Sequence, residues 1–402
     1  MKTLENLKIR HTVPREREGE YYAVEFPVPE NVRKITVSYK YPRLGGGKVN
    51  IIDLGLMDAQ GKFLGWSGSA HPSIFVGEFQ SSGGYIAQPI RPGNWKILVG
   101  AYHVQPGGVD VDYEIAFEEK GPGWLFGDFH CHSTASDGAL DRHELGLRAR
   151  KLGLDFLAVA DHNNVAENFA QPHIPGLTFV PAVEWTHYKG HMNFFGAENP
   201  FENSFVANTD DEMRAVVKAA KARGALISAN HPKCNLCPYL WTDEDCLDLI
   251  EIWNGPMRAV NERAIGWWTD FLRGGRRIPM VGGSDFHRPK GPVRLGHPTT
   301  VVYADSPAPG DILAALGAGR SYVTCAPDGP RVKIARADGV IRVEAEELGR
   351  ARLVLVTQSG AQEMGRVKEA EIKTDSPFAY AKAVRKIAGG ETVRAVTNPV
   401  WL

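Results

Sequence analysis

Two histidines, a cysteine and two aspartates lie close together in the segment FGDFHCHSTASDG, which runs from Phe126 to Gly138. His130 and His132 are two positions apart, so in an extended segment their imidazoles point to the same side of the chain. A strand that ends in this way offers two nitrogen ligands to one metal ion. A turn that merely contains histidines is the simpler alternative, and the other donors of the chain distinguish the two.

Further donors occur at or just past the ends of other apolar runs. They are Asp161 and His162 after LDFLAVA, Glu184 at the end of LTFVPAVE, His231 after ALISAN, and Asp285 and His287 after IPMVGGS; His191 instead opens HMNFFG. In a parallel α/β barrel the carboxyl ends of all strands open on one face, so these distant side chains are expected to converge. Carboxylates and imidazoles buried side by side are costly unless a divalent cation coordinates them. The pattern therefore predicts a metal site.

The elements that must position these donors alternate between strand and helix. Apolar runs from WLFGDFH to IPMVGGS read as buried strands, and amphipathic stretches such as HELGLRARKLG, DDEMRAVVKAAKARG and NERAIGWWTDFLRGG join many of them. This alternation predicts an α/β region over residues 124–325 with a mostly parallel sheet. About seven repeats without a nucleotide-binding glycine motif favour a closed barrel.

The flanking regions have a different pattern. Short β-branched and aromatic runs separated by Gly, Pro and Asn predict an N-terminal β-sandwich domain over residues 1–120, followed by a junction at GPG, residues 121–123. The same β pattern returns after the α/β region and predicts a small C-terminal β domain over residues 327–402. The predicted chain thus has three domains.

The ordered motifs resemble those of the PHP (polymerase and histidinol phosphatase) superfamily. DFHCHSTASDG is similar to its first motif, ADHNN to its second, VEWTHYKGH to the region of its bridging Glu and following His, SANHP to its next His, and GGSDFH to its final Asp-x-His. Within the superfamily the chain is most similar to the CehA/McbA-type metallohydrolases, whose members can have flanking β domains and a TNP ending like AVTNPVWL. The resemblance implies a distorted (β/α)7 PHP barrel.

The resemblance also implies a role for each ligand. His130, His132, Glu184 and Asp285 would bind one metal ion, Asp137, His162 and His231 a second, and Glu184, His191 and His287 a third, with Glu184 as the bridge. Two or three divalent ions (zinc, manganese or iron) are expected. The family often has His where this chain has Asp137, and the added negative charge favours manganese or iron over zinc in the second site.

Metal ions on nitrogen and oxygen ligands are suited to hydrolysis, and a pair of ions clamps a phosphate in particular. The main interpretation is a metal-dependent phosphoesterase in which a metal-bridging hydroxide attacks a small-molecule phosphate ester. The predicted catalytic residues are Glu184, Asp285, His287, Lys233 and Arg288, and the two cations are expected to neutralise phosphate oxygens. Lys189, close to His191, is a further candidate for that role.

Two alternatives stay open. Carbamate or carboxylic-ester hydrolysis belongs to the same subfamily, and an apolar pocket for it would be formed by Trp185, Tyr188, Phe194, Trp241 and Trp253. A binding module with a metal-bearing but inactive barrel is the other; the complete ligand set argues against it. Asp128 and Asp161 either orient an imidazole or serve as turn carboxylates.

Composition limits the binding partners and the cellular location that we expect for the protein. The chain has 402 residues, 43% of them hydrophobic, and a net charge of −1, which argues against a broad nucleic-acid surface or capture by an anionic membrane. No apolar run approaches a membrane span and the N-terminus lacks a signal-peptide core, so a cytoplasmic location is expected. The odd number of cysteines fits reduced thiols, and Cys234 and Cys237, although spaced like zinc ligands, have no partner pair and are interpreted as loop cysteines.

Overall fold

The structure is a computed structural model that describes residues 5–45 and 48–402. The chain divides into two compact units, Met1–Pro122 and Gly123–Leu402. The division falls at the GPG segment, where the pattern of the sequence changes. Among the described residues, no helix combines the length and the apolar character that spanning a membrane requires.

The first unit is built from antiparallel strands. In chain order they are β1 (Leu7–Val13), β2 (Tyr21–Val28), β3 (Val32–Lys40), β4 (Leu44–Gly45), β5 (Lys48–Val49), β6 (Ile51–Met57), β7 (Phe63–Gly68), β8 (Ser73–Gly77), β9 (Gly93–His103) and β10 (Val109–Glu119). Two four-stranded sheets, in the orders β1-β10-β3-β8 and β2-β9-β6-β7, share one apolar core. Every second residue of β10 is buried over most of its length, as expected for a strand with one face on a core.

The second unit contains the candidate site. Its central elements are β11 (Gly123–Cys131), α1 (Arg142–Lys151), β12 (Phe156–Val159), β13 (Thr178–Phe179), β14 (Ala182–Trp185), β15 (Met192–Phe195), α2 (Asp210–Ala222), β16 (Leu226–Ala229), β17 (Leu249–Asn254), α3 (Ala259–Arg273), β18 (Met280–Gly283), β19 (Thr299–Ala304), α4 (Pro309–Gly317) and β20 (Ser321–Thr324). Capping boxes start α1 at Asp141 and α2 at Thr209. The three helical stretches named from sequence correspond to α1, α2 and α3.

The strands of this unit do not form one continuous barrel ladder. One sheet contains β13-β12-β11-β19 and a second contains β14-β15-β16-β17-β18. Isolated bridges between Cys131 and Phe286 and between His162 and Glu184 link the two sheets. The closed (β/α)7 barrel predicted from sequence is therefore not evident as such: the fold is mixed α/β and rich in sheet.

The predicted parallel order also holds only in part. The pairs β11–β12, β12–β13, β16–β17 and β17–β18 are parallel, whereas β14–β15, β15–β16 and β11–β19 are antiparallel. The physical reason is the length of the connections: β14 and β15 are separated only by the loop 186–191, which is too short for the crossover that a parallel pair needs.

The C-terminal strands are β21 (Arg331–Ala337), β22 (Val340–Glu346), β23 (Arg352–Thr357), β24 (Gly360–Gly365), β25 (Glu369–Lys373), β26 (Phe378–Ile387), β27 (Gly390–Thr397) and β28 (Val400–Trp401). Five of these eight strands, β23, β24, β26, β27 and β28, continue the first of these two sheets, and β21, β22 and β25 form a separate three-stranded sheet. β27 pairs with β20, and β26, β23 and β24 follow it in the same sheet. The boundary predicted at residue 327 is thus not a boundary between compact units, because main-chain hydrogen bonds cross it.

Asn398, in the TNP segment, ties this region to β18. Its Oδ1 accepts a hydrogen bond from the Met280 N–H at 2.8 Å, and its Nδ2 donates to the Met280 carbonyl at 3.2 Å. Both partners are buried, so the amide satisfies main-chain groups that water does not reach. The TNP ending therefore has a structural role beside the strand that leads to Asp285.

Candidate metal centre

The nine ligands predicted from sequence lie together at the ends of these strands. Their donor atoms form overlapping groups, within each of which the atoms are no more than 4.8 Å apart: His132, Asp137, His162 and His287; His130, His231 and Asp285; His130, His132 and Glu184; His162, Glu184 and His191; and His191, His231 and Cys237. Cys237 is the one member outside the nine predicted ligands; its spacing from Cys234 is that of zinc ligands, but the sequence favoured a loop cysteine.

Glu184 lies at the centre of the cluster and is 1% exposed. Its two carboxylate oxygens face five imidazoles: His162 Nδ1 at 2.8 Å, His191 Nδ1 at 3.1 Å, His130 Nε2 and His231 Nε2 at 3.3 Å, and His132 Nε2 at 3.5 Å. A carboxylate with both oxygens turned towards ligands of different groups has the geometry that a bridging ligand requires.

Two further carboxylates complete the cluster on either side. Asp285 Oδ1 lies 3.1 Å from His132 Nε2 and 3.6 Å from His130 Nε2. Asp137, whose side chain is 57% exposed, has its Oδ1 3.2 Å from His287 Nε2 and 3.6 Å from His162 Nε2. The three acidic side chains thus differ in exposure: Glu184 is buried, Asp285 is partly exposed, and Asp137 lies at the mouth of the cluster.

Main-chain pairing at the ends of β11 and β18 sets this geometry. The Asp285 N–H donates to the His130 carbonyl at 2.7 Å, and the His132 N–H donates to the Phe286 carbonyl at 2.9 Å. The close approach depends on Gly283, where an added Cβ would lie 2.2 Å from the Cβ of His130. Cys131, between the two histidines, points the opposite way, towards the Ala158 carbonyl.

The residues fit a group of divalent cations. His130 Nε2 and His132 Nδ1 are buried and have no hydrogen-bond partner among the described residues. Unpartnered polar atoms in a buried site cost free energy, and six imidazoles around three carboxylates form the nitrogen and oxygen donor set that zinc, manganese and iron accept. A cation at the cluster would satisfy these atoms and balance the carboxylate charges.

The cluster also perturbs its own ionisation. Burial opposes the charge of Glu184, but the neighbouring His130, His162 and His191 hold the pKa of its carboxyl well below the usual value. Burial likewise opposes the charge of His130, but the Glu251 and Glu184 carboxylates raise its pKa well above the usual value. In the metal-free protein each shift thus favours the charged form of its group, a carboxylate for Glu184 and an imidazolium for His130.

Glu251 is a buried residue of the site that the sequence analysis missed. Its Oε1 lies 2.9 Å from His130 Nδ1, and its Oε2 accepts the His231 N–H at 2.7 Å. It sits inside the apolar run LIEIWN, where a single charged residue among buried neighbours was the available signal. Glu251 orients two of the proposed ligands at once.

Asp128 and Asp161, weighed from sequence as supports for an imidazole, bind other partners. Asp128 accepts the N–H groups of His130, Ser284 and Gly296 at 2.8 to 3.1 Å. Asp161 accepts from Ser133 and Ser136 and pairs with Arg142 at 3.1 Å. Both carboxylates therefore fix the backbone that carries the ligands.

The basic side chains predicted near the site, Lys189, Lys233 and Arg288, differ in their contacts. Lys189 pairs with Asp210 at 2.9 Å, and the Lys233 Nζ lies 4.2 Å from the centroid of the Trp267 ring. Arg288 is exposed beside His287. A cavity of about 620 Å³ next to His231, Asp285 and His287 is instead lined by Arg258 and Arg263 from the start of α3. These two arginines could not be selected from the sequence, because they follow no ligand motif.

The aromatic residues proposed for an apolar pocket are mostly core residues. Trp185, Phe194, Trp241 and Trp253 are at most 3% exposed. Tyr188 is 98% exposed and lines a second cavity of about 500 Å³ together with His191, Phe205 and Val206. The structure therefore retains one of the five proposed aromatic residues as a wall of a cavity beside the cluster.

Comparisons with known proteins return short or distant matches. No family model matches the chain. A 5'-3' exoribonuclease from Haemophilus influenzae is 54% identical over 39 residues, which are 10% of this chain and 14% of that protein. The matched segment thus spans far less than two thirds of the relative.

Three solved structures show distant likenesses to the chain. A two-domain protein from Bacteroides vulgatus, described as containing a predicted PHP-like metal-dependent phosphoesterase, is 18% identical over 70% of this chain and 96% of its own, with a TM-score of 0.42. A putative metal-dependent phosphoesterase from Bifidobacterium adolescentis is 19% identical over 42% of this chain and 90% of its own, with a TM-score of 0.30. An amidohydrolase from Chromobacterium violaceum is 17% identical over 42% and 89%, with a TM-score of 0.28. We therefore argue the function of this chain from its own residues.

Proposed function

We propose that the protein is a metal-dependent hydrolase of the PHP type and that its substrates are phosphate esters. The observation that carries the proposal is the buried Glu184 carboxylate, which lies within 3.5 Å of nitrogen atoms from five histidines in four separate segments. Burying these groups together costs free energy when no cation is bound, whereas a bound cation would be coordinated by them. The isolated bridges between the two sheets are consistent with a distorted barrel of the PHP type, and the CehA/McbA-type resemblance stays part of the proposal.

The residues that would hold two or three divalent ions are His130, His132, Asp137, His162, Glu184, His191, His231, Asp285 and His287. When bound, divalent ions at such a site supply Lewis-acid polarisation of the substrate and a water of lowered pKa. Glu184 and Asp285 fix the positions of the imidazoles, and Glu251 fixes the ring of His130 from behind. His287 and Asp137, at the exposed side of the cluster, lie where a substrate would enter.

Substrate recognition is proposed to come from the cavity beside Asp285 and His287. Arg258 and Arg263 line it, and their guanidinium groups suit an ester that carries phosphate oxygens. Lys233 and Arg288 were proposed for the same role from sequence. The stacking of Lys233 on Trp267 favours Arg258 over it as the phosphate contact.

A second candidate function is the hydrolysis of carbamates or carboxylic esters. The observation that favours it is the cavity beside His191, whose walls include Tyr188, Phe205 and Val206. A neutral substrate would bury its apolar part against these side chains and would gain little from the arginines that line the cavity beside Asp285 and His287.

The test is activity of metal-reconstituted protein on phosphomonoesters, phosphodiesters, carbamates and aryl esters. Hydrolysis of phosphoesters above that of the carbamates and carboxylic esters is the expected result. His191→Gln should abolish most of the activity, whereas His143→Gln, a matched change at an exposed position of α1, should leave it intact. Metal binding without hydrolysis of any substrate would instead support the interpretation as a binding module.

A further inference from the structure

The loop that follows His231 carries two thiols, and that of Cys237 lies against the back of the imidazole. The Sγ of Cys237 lies 3.5 Å from His231 Nδ1, while His231 Nε2 lies 3.3 Å from Oε1 of Glu184. The ring is thus held between a sulfur on one side and the centre of the cluster on the other. The inference drawn from this contact rests on the proposed metal site.

A neutral imidazole has one protonated and one free nitrogen. If Nε2 of His231 is to bind a cation beside Glu184, the proton must be on Nδ1, and Cys237 is the acceptor that Nδ1 faces. Metal-binding histidines usually donate this second N–H to a carboxylate or a carbonyl, as the Glu251 contact with His130 illustrates. At His231 a sulfur atom takes that place.

The contact between Cys237 and the His231 ring matters more because the backbone of His231 has an unfavourable conformation. Its φ of +30° lies in the left-handed region, which is unfavourable for a residue with a Cβ. The surrounding contacts hold this conformation: Glu251 accepts the His231 N–H at 2.7 Å, and the His231 carbonyl accepts the Cys234 N–H at 2.8 Å. Because the backbone conformation of His231 depends on its contacts, a change at the Cys237 sulfur acts directly on the proposed ligand His231.

The second thiol lies beside the first. The Cys234 sulfur accepts the Leu236 N–H at 3.4 Å; burial opposes its ionisation, but the Leu236 N–H and the neighbouring Cys237 lower the pKa of the Cys234 thiol. Arg263 donates to the Lys233 carbonyl at 3.2 Å and to the Asn235 side chain at 2.8 Å, so α3 braces the loop. The Cys-x-x-Cys spacing and this bracing keep the two sulfurs close.

Both thiols can be reached from solvent. Cys234 and Cys237 are partly exposed and line the cavity of about 620 Å³ beside the cluster. Cys131, by contrast, is fully buried, and Cys246 donates its thiol hydrogen to the Asp243 carbonyl at 3.0 Å. A small oxidant that enters the cavity therefore meets these two thiols.

We propose that Cys237 is a positioning residue for His231 and that oxidation of Cys234 and Cys237 to a disulfide weakens metal binding at that ligand. With hydrogen peroxide as oxidant, the two S–H bonds and the O–O bond break, one S–S bond forms, and two water molecules are released. The thiols lose two electrons and the peroxide gains them. The Cys237 sulfur then bonds to Cys234 and no longer serves His231 as its partner.

The experiment treats reduced full-length protein with hydrogen peroxide, removes the excess, and counts free thiols and bound metal before and after a thiol reductant. Two of the five thiols are expected to disappear and the mass to fall by two hydrogen atoms. Metal affinity at one site is expected to fall about 10-fold or more and to return on reduction, in line with the loss of an outer partner of a metal-binding histidine.

Three variants separate positioning from oxidation. Cys234→Ser keeps the contact with His231 but cannot form the disulfide, so its metal affinity should be normal and should resist mild peroxide. Cys237→Ala should bind metal weakly even when reduced, and Cys237→Ser should recover part of the affinity because a hydroxyl accepts the Nδ1–H. Cys246→Ser, the control at a distant half-buried thiol, should behave as the parent protein.

The outcomes also separate this inference from the proposed function. If the reduced protein binds no divalent ions, the metal-site proposal fails. If it binds them, and either all five thiols survive peroxide or the disulfide forms without any change in metal affinity, the inference about the thiol pair is wrong and the metal-site proposal stands.

Discussion

The Nδ1 atom of His130 lies 2.9 Å from Oε1 of Glu251, and both side chains are buried. The other oxygen of the same carboxylate accepts the His231 N–H at 2.7 Å and a hydrogen bond from Asn254 at 3.2 Å. One buried carboxylate thus directs the ring of one proposed ligand and the backbone of another. Glu251 has no place for a cation of its own in this arrangement, because both of its oxygens already have partners.

Replacement of Glu251 by Gln should weaken metal binding about 10- to 100-fold, as is usual for outer partners of metal-binding histidines. The amide keeps the shape of the side chain but loses the charge that orients His130. Titration calorimetry on the metal-free protein measures the change. Glu262→Gln, on the exposed face of α3, is the matched control, and equal affinities in the two variants would contradict the role of Glu251.

Replacement of Glu184 by Gln should reduce kcat/KM by about a hundredfold or more, a larger effect than that of an outer partner, because this carboxylate faces five proposed ligands. The number of ions bound per chain should also fall. Glu202→Gln, at an exposed position, controls for the loss of one carboxylate. Activity near that of the parent protein at saturating metal would remove the bridging role of Glu184.

Metal binding should release protons, and metal affinity should rise with pH. Burial opposes protonation of His130 and His162, but facing carboxylates raise the pKa of both rings above the usual value. The raised pKa values increase the protonated fraction of these imidazoles in the metal-free protein at a given pH, and a cation binds only after the proton leaves. Calorimetry in buffers of different ionisation enthalpy counts the protons. A count of zero near neutral pH, in parent protein that binds metal, would contradict the assignment.

The same shifts predict how the stability of the metal-free protein depends on pH. The raised pKa of His130 stabilises the fold below the unfolded value of about 6.5 and loses this effect as pH rises. The lowered pKa of Glu184 stabilises the fold above the unfolded value of about 4.3 and loses this effect as pH falls. Thermal melts in chelator should therefore show maximal stability between these values, and bound metal should move the maximum to higher pH.

The sequence predicted the candidate site more closely than the fold around it. His130, Asp285 and most of the other donors could be selected because they lie at or just past the end of an apolar run, and residue type and position are both visible in a sequence. Glu251 was missed because it lies inside such a run, where its partners depend on the tertiary structure. Arg258 was missed because α3 brings it to the cluster from a segment without a ligand motif.

The sheet order could be predicted only in part. Apolar strands of four residues such as β14 and β15 give no sign of direction, and direction depends on the short loop between them. The pairing of β27 with β20 joins segments about 70 residues apart, and the local pattern of either strand is equally consistent with a separate domain. Strand direction and the C-terminal boundary therefore depend on main-chain pairing between distant segments, which local sequence patterns do not show.

Two basic side chains, Arg258 and Lys233, can test whether the substrate is a phosphoester or a neutral ester, because their surroundings differ. The Nη2 of Arg258 lies 3.6 Å from the position that a Cβ on Gly255 would occupy, so its guanidinium lies beside the ends of β17 and β18 that lead to the cluster. Lys233 instead stacks on Trp267, and burial lowers the pKa of its ammonium group.

Arg258→Ala should therefore lower kcat/KM for a phosphoester about 10- to 100-fold, the value of a lost hydrogen bond to a charged group, and should leave a neutral aryl ester nearly unaffected. Lys233→Ala should change both substrates by a similar and smaller factor, since its loss acts through the packing of the loop on Trp267. Kinetics of both variants on both substrates at saturating metal provide the comparison. Equal losses on the two substrates in Arg258→Ala would remove the phosphate contact and favour the carbamate or ester hydrolase, whereas a phosphoester-specific loss in Lys233→Ala would restore the role that the sequence assigned to that lysine.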